Sequence, residues 1–170
     1  KEMGVNFIIK TTKQEESYPK QLNQTEIARF LAKQKAKIIS KKLSGNFLLI
    51  TADTIVIQNN NIIHKPNTKE HASKILQSLS NTKHKVISGV CLKSTTKEIT
   101  FSSITNVWFN KLSKEEIAYY IEKFNPFDKA GAYGIQEWIG YIGIKKINGS
   151  YNNVVGLPTA ELHQKLKLFI

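Results

Sequence analysis

Apolar positions switch several times between strand and helix spacing, and the switches predict the elements. Residues 5–11 are apolar and β-branched, as a strand requires. Residues 13–21 are a polar loop carrying Glu15, Glu16 and Pro19. Over 25–43, Ile27, Phe30, Leu31, Ile38 and Ile39 recur at helical spacing with small Ala28, Ala32 and Ala36. Asn23 and Glu26 form a capping box, and Ser44-Gly45-Asn46 stops the helix. Residues 47–58 predict a strand whose first part, continuously apolar, reads as buried on both faces. Asn59-Asn60-Asn61 is a hairpin turn into Ile62-Ile63-His64.

Thr68 caps a helix through Leu79, with Ala72, Ile75, Leu76 and Leu79 inward. Residues 85–93 and 98–109 predict paired strands joined near Ser94-Thr95-Thr96. Ser113 and Glu116 make a second capping box, opening a helix to about Lys123. Residues 138–147 predict another strand, and Pro158 sits at the first position of a C-terminal helix. Hairpins interleaved with helices predict an α/β fold with a mixed β-sheet and flanking helices, not a purely parallel one. Lys1-Glu2-Met3-Gly4 reads as a helix end entering a strand, so a preceding strand and helix are expected.

Composition narrows the class. The 170 residues are 41% hydrophobic, enough for a core, and predict one domain over residues 1–170. No apolar run reaches the ~18–20 residues of a membrane span. Cys91 is the one cysteine; it makes no internal disulfide and fits a reducing cytoplasm. Lys and Arg number 25 against 13 acidic residues, a net charge of +12, yet Arg29 is the sole arginine. Proteins that read nucleic acid favour the bidentate arginine fork, so scattered lysine points away from a specific nucleic-acid partner. A basic groove for a small polyanion such as a triphosphate is equally economical.

The chemistry-bearing residues are few. Asp53 interrupts a strong strand, and an ionised carboxylate there costs several kcal/mol unless paired or on a metal. Two readings fit: a strand-end Asp bonded to a loop amide, or a cleft carboxylate acting as metal ligand or general base. Glu15-Glu16 is a solvated loop pair or a second acidic cluster. Lys65, stiffened by Pro66, is an aimed lysine or a hairpin one. His84 reads as a strand-edge residue or a catalytic one. The densest signal is Asp128-Lys129-Ala130-Gly131-Ala132-Tyr133-Gly134-Ile135-Gln136, where paired glycines permit close backbone approach beside Lys129. It is a phosphate cradle or a tight crossover, and neither a P-loop nor a dinucleotide fingerprint. Gly149-Ser150-Tyr151 and Gly156-Leu157-Pro158 read as turns.

Taken in order, Ala52-Asp53-Thr54, Lys65-Pro66, His84-x-Val86, the Asp128–Gln136 block and Gly149-Ser150-Tyr151 through Gly156-Leu157-Pro158 resemble the Maf family of nucleoside triphosphate pyrophosphatases, also called septum formation inhibitors. The resemblance covers essentially the whole chain. It implies two lobes around a central cleft, as in the inosine triphosphate pyrophosphatases. It implies hydrolysis of a nucleoside triphosphate to monophosphate and pyrophosphate, with a divalent cation, Mg²⁺ or Mn²⁺. Ala-Tyr-Gly-Ile-Gln resembles the subgroup acting on dTTP and UTP rather than the one acting on 7-methyl-GTP. Residue by residue, Asp53 matches the proposed general base, and Glu16, Lys65 and Lys129 match cleft positions. Glu16 and Asp53 are the implied metal ligands, and Thr54 and Gln136 the specificity positions. A nucleotide-pool housekeeping role linked to septum formation is implied, and a homodimer is allowed.

Two departures stand out. The family's Ser-x-Ser-Pro-Arg-Arg motif is absent and is expected in the preceding segment. Glu137 and Trp138 stand where the family usually has glycine, and a Glu137 reaching the pocket would favour a cationic or amino-bearing base. The alternative is a non-catalytic nucleotide-sensing regulator of cell division, which would keep the lysines without needing Asp53 as a base.

Overall fold

A computed structural model describes residues 3–12 and 17–169. Its frame is a five-stranded sheet built from β1 (Leu49–Gln58), β2 (Asn61–Ile63), β3 (Lys83–Lys93), β4 (Glu98–Phe109) and β5 (Ile144–Asn148), in the order β2-β1-β3-β4-β5. Every strand pair in that sheet is antiparallel, which refines the mixed sheet expected from the element order. Hairpins join β1 to β2 and β3 to β4. Asn59 and Asn60 both adopt positive φ, 50° and 65°, the backbone that a tight two-residue hairpin needs and that asparagine tolerates.

Helices cover both faces, as the α/β class requires. On one side lies α1 (Gln24–Ser40), opened by the expected Asn23–Glu26 capping box. Its stripe of Ile27, Ala28 and Leu31 packs on Ile55, Ile57 and Ile87. The alanines let it come very close: a Cβ on Gly89 of β3 would run into the Ala28 backbone. On the other side, α2 (Lys69–Leu79) and α3 (Lys114–Phe124) bury Leu76, Leu79, Ile117 and Tyr120 against Phe109. Thr68 and Ser113 cap these helices as expected. Short α4 (Trp138–Gly143) and α5 (Tyr151–Val155) follow, and α6 (Thr159–Phe169) seats Leu162 and Leu166 on Val90, Leu92 and Phe101. No helix of the described residues is long and apolar enough to cross a membrane.

Four expectations change. Residues 138–147 divide into α4 and β5, because Gly140 and Gly143 permit a helical turn over Ile135 and Phe109 before pairing to β4 begins. Residues 5–11 form no strand: Phe7 and Ile8 are 60% and 85% exposed, and no neighbouring strand pairs with them among the described residues. Leu48 and Ile50 are likewise exposed, so the apolar start of β1 is not buried on both faces. The three-residue β2 pairs only with Val56, Ile57 and Gln58, leaving the earlier part of β1 beside no second strand among the described residues. Finally, Pro158 precedes α6 rather than opening it, its carbonyl accepting from the Leu162 N–H. Lys1, Glu2, Glu15 and Glu16 lie outside the described residues, as does the helix end expected at Lys1.

His84 is not at a strand edge but in the core, 2% exposed. Its ring stacks on Phe109 and meets Tyr133 edge-on, while Nε2 lies 2.7 Å from the Tyr133 hydroxyl and Nδ1 has no hydrogen-bond partner among the described residues. Burial lowers its pKa to about 4, so the fold favours neutral imidazole. The unfolded chain, with an ordinary value near 6.5, takes up the proton first. This contribution to stability is complete above ~6.5 and is lost as pH falls toward ~4, by about 3 kcal/mol. Urea unfolding across that window is expected to show the loss, and His84→Gln, less stable at neutral pH, is expected to flatten it.

Candidate functional site

The site grows from the exposed edge of β1. Successive strand residues point to opposite faces, so Asp53 turns toward α1 and Thr54 away from it. Because the sheet ends here, both reach one cleft of roughly 340 Å³, a size typical of small-molecule sites. Other walls include Val56 and Val86 of the sheet, Lys35 from α1, Lys65 after β2, Asp128, Lys129 and Gln136 from the crossover, and Val154 to Gly156.

Asp53 is 5% exposed, and its carboxylate is ion-paired to Lys35. The pairing follows from helix geometry. Lys35 is seven residues, about two turns, beyond Ala28. Ala28 is pinned on Gly89, and Gly89 is the register partner of Asp53. The close approach at Gly89 therefore sets the ammonium beside the carboxylate. Thr51, one pleat earlier on the same face, donates to the Ala32 carbonyl at 2.7 Å and fixes the same helix.

Thr54 belongs to a network on the other face. Its hydroxyl lies 2.7 Å from the Ser88 hydroxyl, which donates at 3.0 Å to the Asn153 carbonyl. Asn153 is fully buried, its amide donating to the Val86 carbonyl and the Thr105 hydroxyl. The Gly149–Pro158 stretch is thus more than two turns: α5 is docked onto the sheet and brings Gly156 to the cleft rim.

Pro66 is buried while Lys65 is exposed, so an anchored ring aims the lysine at the cleft. In the crossover, Gly131 and Ala132 are both left-handed, at φ 74° and 58°. This reverses the chain and buries Tyr133 against His84 and Phe109. An alanine in that region costs of order 1 kcal/mol, which the buried ring offsets. Lys129 lies 2.8 Å from Asp128 and 3.2 Å from Glu137. Partial burial lowers its pKa, but the bonds to these two carboxylates outweigh that and raise it overall, so it stays charged. The Lys129 ammonium holds the Asp128 carboxyl below its ordinary value.

Asp53, Thr54, Lys65, Lys129 and Gln136 all line this cleft, while Glu16 lies outside the described residues. Glu137 does not line it, so the condition for a cationic or amino-bearing base is not met; its carboxylate turns toward Tyr120 and Lys129. Lys35 was missed. Its signal was present, since it is a lysine on the inward alanine stripe of an amphipathic helix, beside Ala32 and Ala36. Cys91 is buried, and burial pushes its thiol up to about 11, so it is an inert core thiol.

The family described as Maf-like protein matches residues 1–169. This chain belongs to the Maf-like family. It is 44% identical over 170 residues to a dTTP/UTP pyrophosphatase of Flavobacterium johnsoniae, covering 100% of this chain and 88% of that protein. It is 45% identical over 166 residues to one of Bacteroides thetaiotaomicron, covering 97% and 86%. It is 48% identical over 155 residues to one of Parabacteroides distasonis, covering 91% and 80%.

The Asp53–Lys35 pair is expected to couple strongly. In a double-mutant cycle of Asp53→Asn and Lys35→Met, denaturant unfolding should give an interaction energy above ~1 kcal/mol. Additive effects would remove the pair from the account of how α1 is held.

Proposed function

We propose that this Maf-like chain hydrolyses nucleoside triphosphates to the monophosphate and pyrophosphate, with dTTP and UTP preferred. The observation that carries the reading is the convergence of buried Asp53 with Lys35, Lys65, Lys129 and Gln136 on one cleft. The names of relatives 44–48% identical over nearly the whole chain, each a dTTP/UTP pyrophosphatase, support it.

Lys65 and Lys129 would lie along the triphosphate and offset charge that develops as the α-phosphorus is attacked. Lys35 keeps the Asp53 carboxylate fixed at the strand edge, where it orients the attacking water or accepts its proton. The donors of the cleft are hard oxygens, from Asp53, Asp128 and the Thr54 hydroxyl, which suit Mg²⁺ or Mn²⁺. Asp53 would hold that cation with Glu16 as the expected second ligand. When bound, it supplies neutralisation of phosphate charge. Gln136, exposed at the mouth, offers a donor and an acceptor that match the O4 and N3–H edge of uracil or thymine. Thr54 meets the base only through a hydroxyl already engaged by Ser88 and Gly156.

Reaction in oxygen-18 water is expected to label the monophosphate and leave pyrophosphate unlabelled; label in orthophosphate overturns attack at the α-phosphorus. Asp53→Asn is expected to fold and to lose at least ~10² in turnover. A wild-type rate in that variant removes Asp53 from the chemistry.

Base choice has its own test. Gln136→Ala is expected to lower kcat/KM for dTTP more than for ATP, because a site built to bond a base edge rejects bases that leave it unpaired. Equal losses on both, or 7-methyl-GTP as the best substrate, defeat the pyrimidine preference and leave the pyrophosphatase reading standing.

A further inference from the structure

The turn that carries Gln136 is held from behind. Residues 134–137 form a four-residue turn closed by the Glu137 N–H donating to the Gly134 carbonyl at 3.0 Å, with Gln136 at its third position. The Glu137 side chain folds back beneath it. One carboxylate oxygen accepts from the hydroxyl of Tyr120, and the other lies 3.2 Å from the Lys129 ammonium. The same Tyr120 hydroxyl accepts the Gly134 N–H at 3.0 Å. The Glu137 carbonyl accepts the Gly140 N–H at 2.8 Å, starting α4.

The hydroxyl of fully buried Tyr120 on α3 therefore holds both ends of the Gln136 turn, and the Glu137 carboxylate joins it to the cleft lysine. The space is fitted to that carboxylate. A Cβ at Gly134 would come 2.9 Å from the Glu137 carboxyl carbon, so glycine there lets the carboxylate take this place without moving aside. A glycine at 137 would leave Tyr120 and Lys129 without this bridge. Burial first, then the bond to Glu137, pushes the Tyr120 phenol up, so it remains a donor.

We propose that Glu137 is a positioning residue: it does not touch the base but fixes the Gln136 turn, joining Tyr120 and Gly134 to Lys129, and so sets how sharply Gln136 discriminates. The inference rests on the reading of Gln136 as the residue that meets the base. A glutamine exposed on an unsupported turn samples several orientations, and its selectivity falls with the fraction in the productive one.

The ratio of kcat/KM for dTTP to that for ATP is measured in wild type, Gln136→Ala, Glu137→Ala, Glu137→Gln, Tyr120→Phe and the double Gln136→Ala/Glu137→Ala variant. Amide exchange is followed over residues 133–138, with β3 as the internal control. Glu137→Ala is expected to narrow the ratio roughly tenfold and to quicken exchange over 133–138 alone. Tyr120→Phe, which keeps the ring, is expected to narrow it too, and it serves if Glu137→Ala does not fold. Glu137→Gln, which still offers Tyr120 an acceptor, is expected to retain most of the discrimination. The double variant is expected to discriminate no less than Gln136→Ala alone.

Two results overturn the proposal: a wild-type ratio with unchanged exchange in Glu137→Ala, or a double variant in which the two losses multiply. A wild-type protein that releases no pyrophosphate from dTTP, or a Gln136→Ala variant with an unchanged ratio, defeats the underlying reading instead. Exchange then decides Glu137 by itself: quickened exchange keeps it as the support of the turn, and unchanged exchange removes it.

Discussion

A carboxylate inside a β-strand must be compensated, and the way Asp53 is compensated organises the molecule. Its partner Lys35 stands on α1, so one ion pair bridges helix and sheet at the rim of the cleft. The pair exists only because α1 approaches very closely, through alanines on its inner stripe and a glycine beneath them in β3. A bulkier residue at Gly89 would lift the helix and withdraw the ammonium. Core packing and site electrostatics are therefore the same constraint at this point: what packs Ala28 also places Lys35.

The second constraint is the brevity of β2. A longer second strand would pair along the whole of β1 and close the edge where Asp53 and Thr54 stand. With only three residues it secures Val56 to Gln58 and ends, and the chain turns through buried Pro66 into α2. The opposite faces of β1 thus serve one cleft from two sides. The α1 face supplies the ion pair, and the other face supplies the Thr54–Ser88–Asn153 network that docks α5.

Much of this was legible in the chain. Both capping boxes, the asparagine hairpin and the β3–β4 pair are local, and local chemistry is what a sequence states directly. Asp53, Thr54, Lys65, Lys129 and Gln136 were legible partly as oddities, such as a charge in a strand, and partly through resemblance to the Maf family. What was not legible depends on neighbours distant in sequence. Residues 5–11 have a strand's composition, but a strand exists only with a partner to pair with. Residues 138–147 have strand-like apolarity, yet Gly140 and Gly143 fit a helical turn against Ile135 and Phe109, contacts set by tertiary approach. Lys35 was passed over because its partner lies 18 residues away. The role of Glu137 was open for the same reason, since nothing local reveals the tyrosine beneath it.

The same distant pairing bears on how a basic protein uses its charge. The chain carries a net charge of +12, but the described cleft lining sets three lysines against two aspartates, a balance of only +1. Lys35 is engaged by Asp53, and Lys129 by Asp128 and Glu137. A triphosphate carries about four negative charges, so it gains less from this cleft than the overall composition implies. On the proposed reading, entering phosphate oxygens would replace Asp128, which is exposed and held by a contact of the kind worth little in water. Glu137, shielded under its turn and bonded to Tyr120, is the partner Lys129 keeps. The proposed division follows from burial: the exposed carboxylate yields its lysine to substrate, and the covered one holds that lysine in place. On the proposed reading, a cleft so nearly balanced would give a divalent cation an electrostatic role, since a net +1 would leave most of the triphosphate charge unmet.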